Sequence, residues 1–554
     1  MLNKKIKYRK YLWVICLIIL FFIPLLDLFH PGLPVTNDGQ DHVVRIANFY
    51  HSLSEGNIIP RWAGNLNWGY GHPILMFLYP IPSYTASLFH FLGFTLVDSV
   101  KIVFGVAFIA SGLTMYLWVK SFLGQKAGIV SGLFYMFAPY RFIDLYVRGA
   151  IGEHVAFIFP PLILYFLLKS AKKSSYWHIV GGGLSLCGLI LSHNAISLMF
   201  LPIIGLYAFY LYFQTKIKKE FLFTVVSIVF FGFSLAAFFW VPALLEGKYT
   251  LRDKVIAGEY TSRFIPFANF FRDPPGYDGN TPFSMRVGTI QWIVVLLSTP
   301  FTYVLYRRKK PIWIISFVSL CIFAISLFLI TSASRGIWER IFLLQNFQFP
   351  WRFLSVTVFA IALLGGILLY QLPKKIMTFT ILLIAAGLIF STSTMWDIHK
   401  FLYKPEKFFA SVYDGTTDTG ESAPIWSVRF MERRPKANIE IIQGKGEIKE
   451  IKRTSTKHAY IALANEEVRI SENTLFFPGW EVFVNGKIVP LQFQDPQYRG
   501  IMTFFAPKGK NTIDVVFRET KLRTIANNVS LLSFAILFGW VIYVKMVKMR
   551  LNKL

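Results

Sequence analysis

Cysteine is almost missing from this chain: there are three in 554 residues, Cys16, Cys187 and Cys321, each inside an apolar run. That gives neither a disulfide framework nor a thiolate metal site. The ten histidines are scattered, with no His-x-His pair, so a clustered histidine zinc site is not indicated either. Carboxylates are outnumbered, 30 Asp and Glu against 57 Lys and Arg, for a net charge of +27. A nucleic-acid footprint would gather such an excess on one folded surface. Here it sits in short clusters beside apolar runs, the position of membrane anchors, which argues against nucleic acid as a partner. There is no low-complexity linker and no long internal repeat. What remains is hydrophobic: 54% of residues, with only 16% charged, a membrane-like composition rather than a globular one.

Twelve runs are nearly free of charge: 11–30, 102–119, 127–143, 155–168, 177–192, 196–213, 221–243, 290–306, 311–331, 353–371, 376–392 and 525–544. At 1.5 Å per residue most of them, alone or with their flanks, reach the roughly 30 Å of a hydrocarbon core. Threaded in order, they place every basic cluster on one side: Lys4 to Lys10, Lys120 and Lys126, Lys169 to Lys173, Lys216 to Lys219, Arg307 to Lys310, Lys374-Lys375 and Lys545 to Lys553. The positive-inside rule makes that side cytoplasmic, with both termini there, in a multi-pass plasma-membrane protein whose remaining loops face outward. The basic start and first run lack a small-residue cleavage site, so a retained helix is expected rather than a signal peptide. Residues 73–95 are apolar but interrupted by Pro80 and Pro82. A crossing there would invert every later loop, so an interfacial or re-entrant segment is expected.

The expected architecture is therefore an α-helical polytopic membrane protein of about twelve transmembrane helices. Its membrane domain covers 1–393, with outer loops 31–101, 144–154, 244–289 and 332–352. A β-sandwich-like extracytoplasmic domain, 394–522, precedes a final helix and basic tail, 523–554. In that domain ANIEIIQG, EIKEIKRT, AYIALA, VRISENTLFF, WEVFVNGKIVPLQ, RGIMTFFAP and NTIDVVFRE alternate apolar and polar residues at period two. Asn485-Gly486 is a strong hairpin signal, because both residues tolerate positive φ.

Candidate chemistry lies in the outer loops. Asn37 or Asp38 caps a helix expected to run to about Ser54. On it Asp38, Asp41, His42 and Arg45 follow i, i+3, i+4, i+7 spacing and share a face. Two carboxylates beside His and Arg suit a general base or a divalent cation, and equally a capping Asp with an Asp41–Arg45 helix pair. Arg148, Glu153 and His154 meet a span at the membrane boundary, where unpaired charges are costly. His193-Asn194 sits at the outer end of another span. Arg352, after Trp351, either clamps a phosphate through its fork of donors or anchors a helix at the headgroups. Arg252, Lys254, Arg263 and Arg272 in the third loop, which carries the turn-rich run RDPPGYDGNTP, are phosphate candidates or solvated charges.

The motifs NDGQDH, IPRW and GYGHP in the first loop, with RGAIGEH and QFPWRF further on, resemble a bacterial membrane family labelled 6-pyruvoyl-tetrahydropterin-synthase-related. They also resemble the GT-C superfamily of integral-membrane glycosyltransferases, which use polyprenyl-phosphate-linked sugars. FFPGWEVFVNGKIVPL resembles the extracytoplasmic β domain of related large bacterial membrane proteins. The GT-C resemblance implies that Asp38 or Asp41 is the catalytic carboxylate, the usual adjacent acidic pair being spread here as DGQD. It implies that this carboxylate deprotonates an acceptor hydroxyl or holds Mg or Mn, and that Arg352 or a basic residue of the third loop, such as Arg263, binds the lipid-linked phosphate. His42, Arg45, Arg61, Trp62, Arg148, Glu153, His154 and His193 are the remaining candidate substrate-binding residues. The implied partners are membrane lipid, a polyprenyl-phosphate-linked sugar donor and an envelope glycan, lipid or protein acceptor. A non-enzymatic lipid or polysaccharide translocase, or an envelope-assembly protein, is the alternative. It would need ionisable groups deep in the spans, where this sequence has few.

Overall fold

The computed structural model describes residues 2–273, 284–398 and 400–551, with side chains between residues 12 and 546. The side chains of Lys4 to Lys10 and Lys548 to Lys553, and the turn-rich run beyond Asp273, fall outside the described residues.

Each of the twelve apolar runs is helical. Among the described residues nine helices are long and apolar enough to cross a membrane, and a tenth crossing would be the pair Lys218–Leu235 and Ala237–Leu245, bent by 68°. This is a multi-pass membrane protein. The count of straight, full-length spans falls from twelve to nine because one run is that bent pair and two make short helices. Gln125–Met136 has 12 residues and Tyr176–Ile190 has 15, rising about 18 and 22 Å against roughly 30 Å of hydrocarbon. The first of these stops because Ala138, ahead of Pro139, is forced into extended backbone at ψ 136°. After the break the chain turns through a short π-helix, Ile143–Arg148.

Pro80 and Pro82 break the 73–95 segment into Ile74–Phe77 and Ile81–Phe91. Eleven residues rise only about 16 Å, so this helix is too short to cross. It packs on Gly39–Ser54 and Leu96–Leu123 and leaves Leu88, Phe91 and Leu92 exposed. The helix Leu96–Leu123 extends well beyond its apolar run, because Thr95 caps it by accepting the Asp98 N–H at 3.0 Å.

Eight strands follow: β1 (Ile439–Gln443), β2 (Gly446–Arg453), β3 (Lys457–Ala464), β4 (Val468–Leu475), β5 (Trp480–Val484), β6 (Lys487–Val489), β7 (Ile501–Ala506) and β8 (Gly509–Phe517). They form two antiparallel sheets, ordered β2-β3-β8-β5-β6 and β1-β4-β7. Asn485 and Gly486, at φ 51° and 77°, make the β5–β6 turn. Ile470 and Phe504 of one sheet share a core with Val482, Ile513 and Val515 of the other, as in a sandwich. That core is completed from outside the strands by Trp62, Tyr70 and Met76 of the first loop. The last helix, Lys521–Leu551, is tied back by Arg523, whose Nε donates to buried Glu246 at 2.7 Å.

Candidate functional site

The first-loop helix, Gly39–Ser54, is held at its start by backbone hydrogen bonds across to the π-helix segment. Asn37 N–H donates to the Val147 carbonyl and Asp38 N–H to the Arg148 carbonyl, both at 2.9 Å. Asp38 occupies the N-cap position but its side chain caps nothing; the Gly39 N–H goes to the Thr36 hydroxyl at 3.0 Å. The Asp38 carboxylate is left exposed, without a hydrogen bond or ion pair among the described residues. One turn on, Asp41 is half-buried and accepts from the Tyr413 hydroxyl at 3.3 Å, while Gln40 Nε2 donates to that hydroxyl oxygen at 2.8 Å.

The Asp41–Arg45 helix pair does not form. Arg45 instead donates to the Thr417 carbonyl, to Thr417 Oγ1 at 3.4 Å and to His42 Nδ1 at 3.0 Å. Thr417 sits at φ +63°, a left-handed conformation that a β-branched residue adopts only where its surroundings enforce it. The adjacent Asp418 accepts the backbone N–H of Gly420 at 2.9 Å and of Ser422 at 3.0 Å, and faces His72 at 3.4 Å. The loop 413–422 thus folds over the first-loop helix.

Burial raises the Asp41 carboxyl above its ordinary range; Arg45 opposes this, while Asp38 and Asp418 add to it. Burial and the Arg45 charge hold His42 well below its usual value, so it is neutral. Burial works against ionisation of Asp418, yet His72 and the Ser422 hydrogen bond hold it well below the carboxylate range. Tyr413 is pushed up to about 12, first by burial and then by Asp41.

A second set of charges adjoins this one. Arg148 Nη1 donates to Asp144 at 2.6 Å, to Glu153 at 2.9 Å and to the Tyr140 hydroxyl at 3.0 Å, and Tyr140 donates to Glu153 at 2.6 Å. Arg352 Nε lies 4.0 Å from Glu153, is buried without a hydrogen-bond partner, and Nη1 donates to the Phe347 carbonyl at 2.8 Å. Phe349 stacks on Trp351 and carries two guanidinium groups, Arg352 at 4.8 Å and Arg263 at 5.6 Å from its centroid. Tyr79 links the two sets. It stacks on His193 at 5.0 Å and feels Arg45, Asp38, Arg352 and Glu153. Gly152 admits its ring, since a Cβ there would lie 2.0 Å from it.

Asp38, Asp41, His42, Arg45, Arg148, Glu153, His193 and Arg352 therefore gather in one region, with Arg263 at its edge. Three candidates lie elsewhere. His154 turns away from Glu153 to stack on Phe108 at 5.7 Å. Arg61 donates to Glu519 at 2.7 Å and Asn527 at 2.8 Å, bracing the last helix. Trp62 is buried in the β core. The sequence reasoning missed Tyr79, Tyr140, Asp144 and the whole 413–422 loop, although YDGTTDTGES is visibly a run of turn-forming residues.

The sequence allows Mg or Mn on Asp38 and Asp41. Among the described residues no three His, Cys, Asp or Glu side chains converge with metal-holding geometry, and the partner of Asp41 is a tyrosine.

A family described as "6-pyruvoyl-tetrahydropterin synthase related domain; membrane protein" matches residues 75–399. The chain belongs to that family. It is 26% identical over 256 residues to an uncharacterized protein of Lactococcus lactis subsp. cremoris (strain MG1363), a match that takes in 43% of this chain and 40% of that protein. Among solved structures it is similar to the arabinofuranosyltransferase AftD from Mycobacteria, at 13% identity and TM-score 0.44 over 70% of this chain and 27% of that one. It is also similar to ArnT from Cupriavidus metallidurans bound to undecaprenyl phosphate, at 13% identity and TM-score 0.39 over 72% and 67%. Likenesses of that size support no conclusion about activity. The chain spans less than half the length of the Lactococcus relative and of AftD.

Proposed function

We propose that this protein is an integral-membrane glycosyltransferase that moves a sugar from a polyprenyl-phosphate-linked donor to a cell-envelope acceptor on the outer face. The observation that carries the reading is convergence. NDGQDH, RGAIGEH and QFPWRF lie more than a hundred residues apart in the chain, yet Asp38, Glu153 and Arg352 lie around Tyr79, with Asp41 one turn on from Asp38 and near enough to feel its charge. The donor class rests on the resemblance of those motifs to GT-C enzymes.

Asp41 is the base. Its raised carboxyl stands nearer neutrality than an ordinary aspartate, which suits taking the proton of an acceptor hydroxyl. The acceptor oxygen attacks the anomeric carbon and the bond from that carbon to the phosphate oxygen breaks. The departing lipid phosphate carries away the electron pair, and Arg352, with its Nε unspent, and Arg263 stabilise its charge. The charge of Arg148 is already matched by Asp144 and Glu153; it positions the helix start rather than binding phosphate.

Envelope glycan product is measured in cells carrying Asp38→Asn, Asp41→Asn or both, at matched protein levels. Asp41→Asn should lose roughly 100-fold or more, the size of a general-base contribution. The exposed Asp38 should matter less. Near-normal product from all three variants would remove the base and move the protein to the translocase or assembly class.

A further inference from the structure

Away from the Asp41 region, a cavity of about 130 Å³ lies on the seam between the first-loop helix and the β unit. His51, Trp62 and Asn65 line it from the membrane domain, and Arg453, His458 and Thr474 from the strands. The seam is a fixed contact. The Glu55 carboxylate accepts the Ser455 N–H at 2.9 Å together with the Ser455 hydroxyl, and Asn57 Oδ1 accepts from Thr456 at 3.3 Å.

Behind the cavity a fully buried carboxylate, Glu472, receives three donors. These are His458 Nδ1 at 2.9 Å, Tyr460 at 3.0 Å and Arg453 Nη1 at 2.8 Å. Arg453 Nη2 also donates to Thr474 Oγ1 at 3.0 Å. Packing alone would be served as well by apolar residues, because burying an ion pair seldom stabilises a core. The network does something packing cannot: it aims polar atoms. Because Nδ1 faces Glu472, the other ring nitrogen of His458, Nε2, is the one left for the cavity. Among the described residues Arg453 Nε and Asn65 Oδ1 have no hydrogen-bond partner, and His51 has only its Nε2 engaged, by Glu55 at 3.1 Å.

The cavity thus offers acceptors and donors side by side around an indole wall. Its charges cancel, Arg453 against Glu472 and His51 against Glu55. That combination suits an uncharged, many-hydroxyl ring better than an anion. At about 130 Å³, with the exposed His51 at its rim, the space takes at most one ring and not a chain of them. We infer that this seam binds a single neutral sugar residue of a glycan. The inference does not depend on sugar transfer at Asp41.

The test uses the full chain in lipid nanodiscs and saturation-transfer-difference NMR. The probes are methyl glucoside, methyl galactoside and methyl N-acetylglucosaminide, with glucuronate as the charged ring and glycerol as control. At least one neutral glycoside should bind saturably, with a Kd of about 1 mM. Asn65→Ala and His51→Trp, both at partly exposed positions, should each weaken it about tenfold, the loss of one directed hydrogen bond or of the open mouth. His458→Gln should do the same, and if it fails to fold the other two variants decide. Asp41→Asn should bind as wild type, separating this site from the proposed transfer site. Absence of saturable binding by every neutral glycoside, preference for glucuronate, or binding that survives both Asn65→Ala and His51→Trp would overturn the inference.

Discussion

Asp38 and Asp41 stand one turn apart on the same helix in different surroundings. Asp38 is exposed and unpartnered, whereas Asp41 is half-buried under Tyr413 and near two other carboxylates. The Tyr413 hydroxyl favours the ionised form, so its removal should raise the Asp41 carboxyl further. The expected outcome in Tyr413→Phe is an Asp41 titration displaced upward from the wild type, itself above the ordinary 3.8. Infrared difference titration, with Asp41→Asn as the blank, reads that carboxyl directly; an unmoved or lowered midpoint would break the proposed pairing. The sequence spacing correctly put Asp38, Asp41, His42 and Arg45 on one helix. It could not show that Arg45 leaves Asp41 for Thr417, a partner 372 residues away. Local periodicity carries no information about such contacts. His154 shows the same limit, since neighbours on a helix point about 100° apart and His154 goes to Phe108 rather than to the partners of Glu153.

At the scale of elements, what is periodic was legible and what is broken was not. Period-two alternation located every strand of the β unit, and Asn485-Gly486 located its tightest turn. The run at 127–143 reads as one span because hydropathy registers apolarity but not the backbone constraint Pro139 places on Ala138. Nor does any strand pattern reveal that Trp62, Tyr70 and Met76 finish the sandwich core. Trp62→Ala should therefore lower the stability of the β unit by about 3–5 kcal/mol, although it lies outside the strands. Residues 400–520 expressed alone should give a strand-dominated circular dichroism spectrum and melt below the same unit in the full chain. Equal melting would mean the docking is dispensable. Glu472 adds a pH dependence. Its folded value of about 2 lies below the ordinary 4.5, so its contribution is complete above the ordinary value and is lost as pH falls toward 2. Glu472→Gln should flatten the acid limb of the melting temperature in that window. An acid limb that stays as steep as the wild type's would show that the buried carboxylate is not the titrating group.

Across the whole molecule the polar site and the basic loops lie at opposite ends. The helix Leu96–Leu123 begins beside Glu406, whose carboxylate accepts the Leu96 N–H at 3.0 Å. It ends where Lys172 reaches the Ser121 carbonyl at 3.1 Å and Lys126 reaches Thr378 at 2.9 Å. Its 28 residues separate the two ends by about 42 Å, more than a hydrocarbon core. If lysines at the far end mark the cytoplasm, the Asp41 region and the cavity at the seam both face outward. We expect this to show in chains whose three native cysteines have been replaced. With a membrane-impermeant thiol reagent, Ser54→Cys at the end of the first-loop helix should label in intact cells. Ser121→Cys, beside the basic cluster, should label only after permeabilisation. The reverse pattern would put the carboxylates and the arginines on the cytoplasmic side. An acceptor in the outer envelope could then never meet Asp41, and the proposed transfer would fail on geometry whatever the chemistry of its residues.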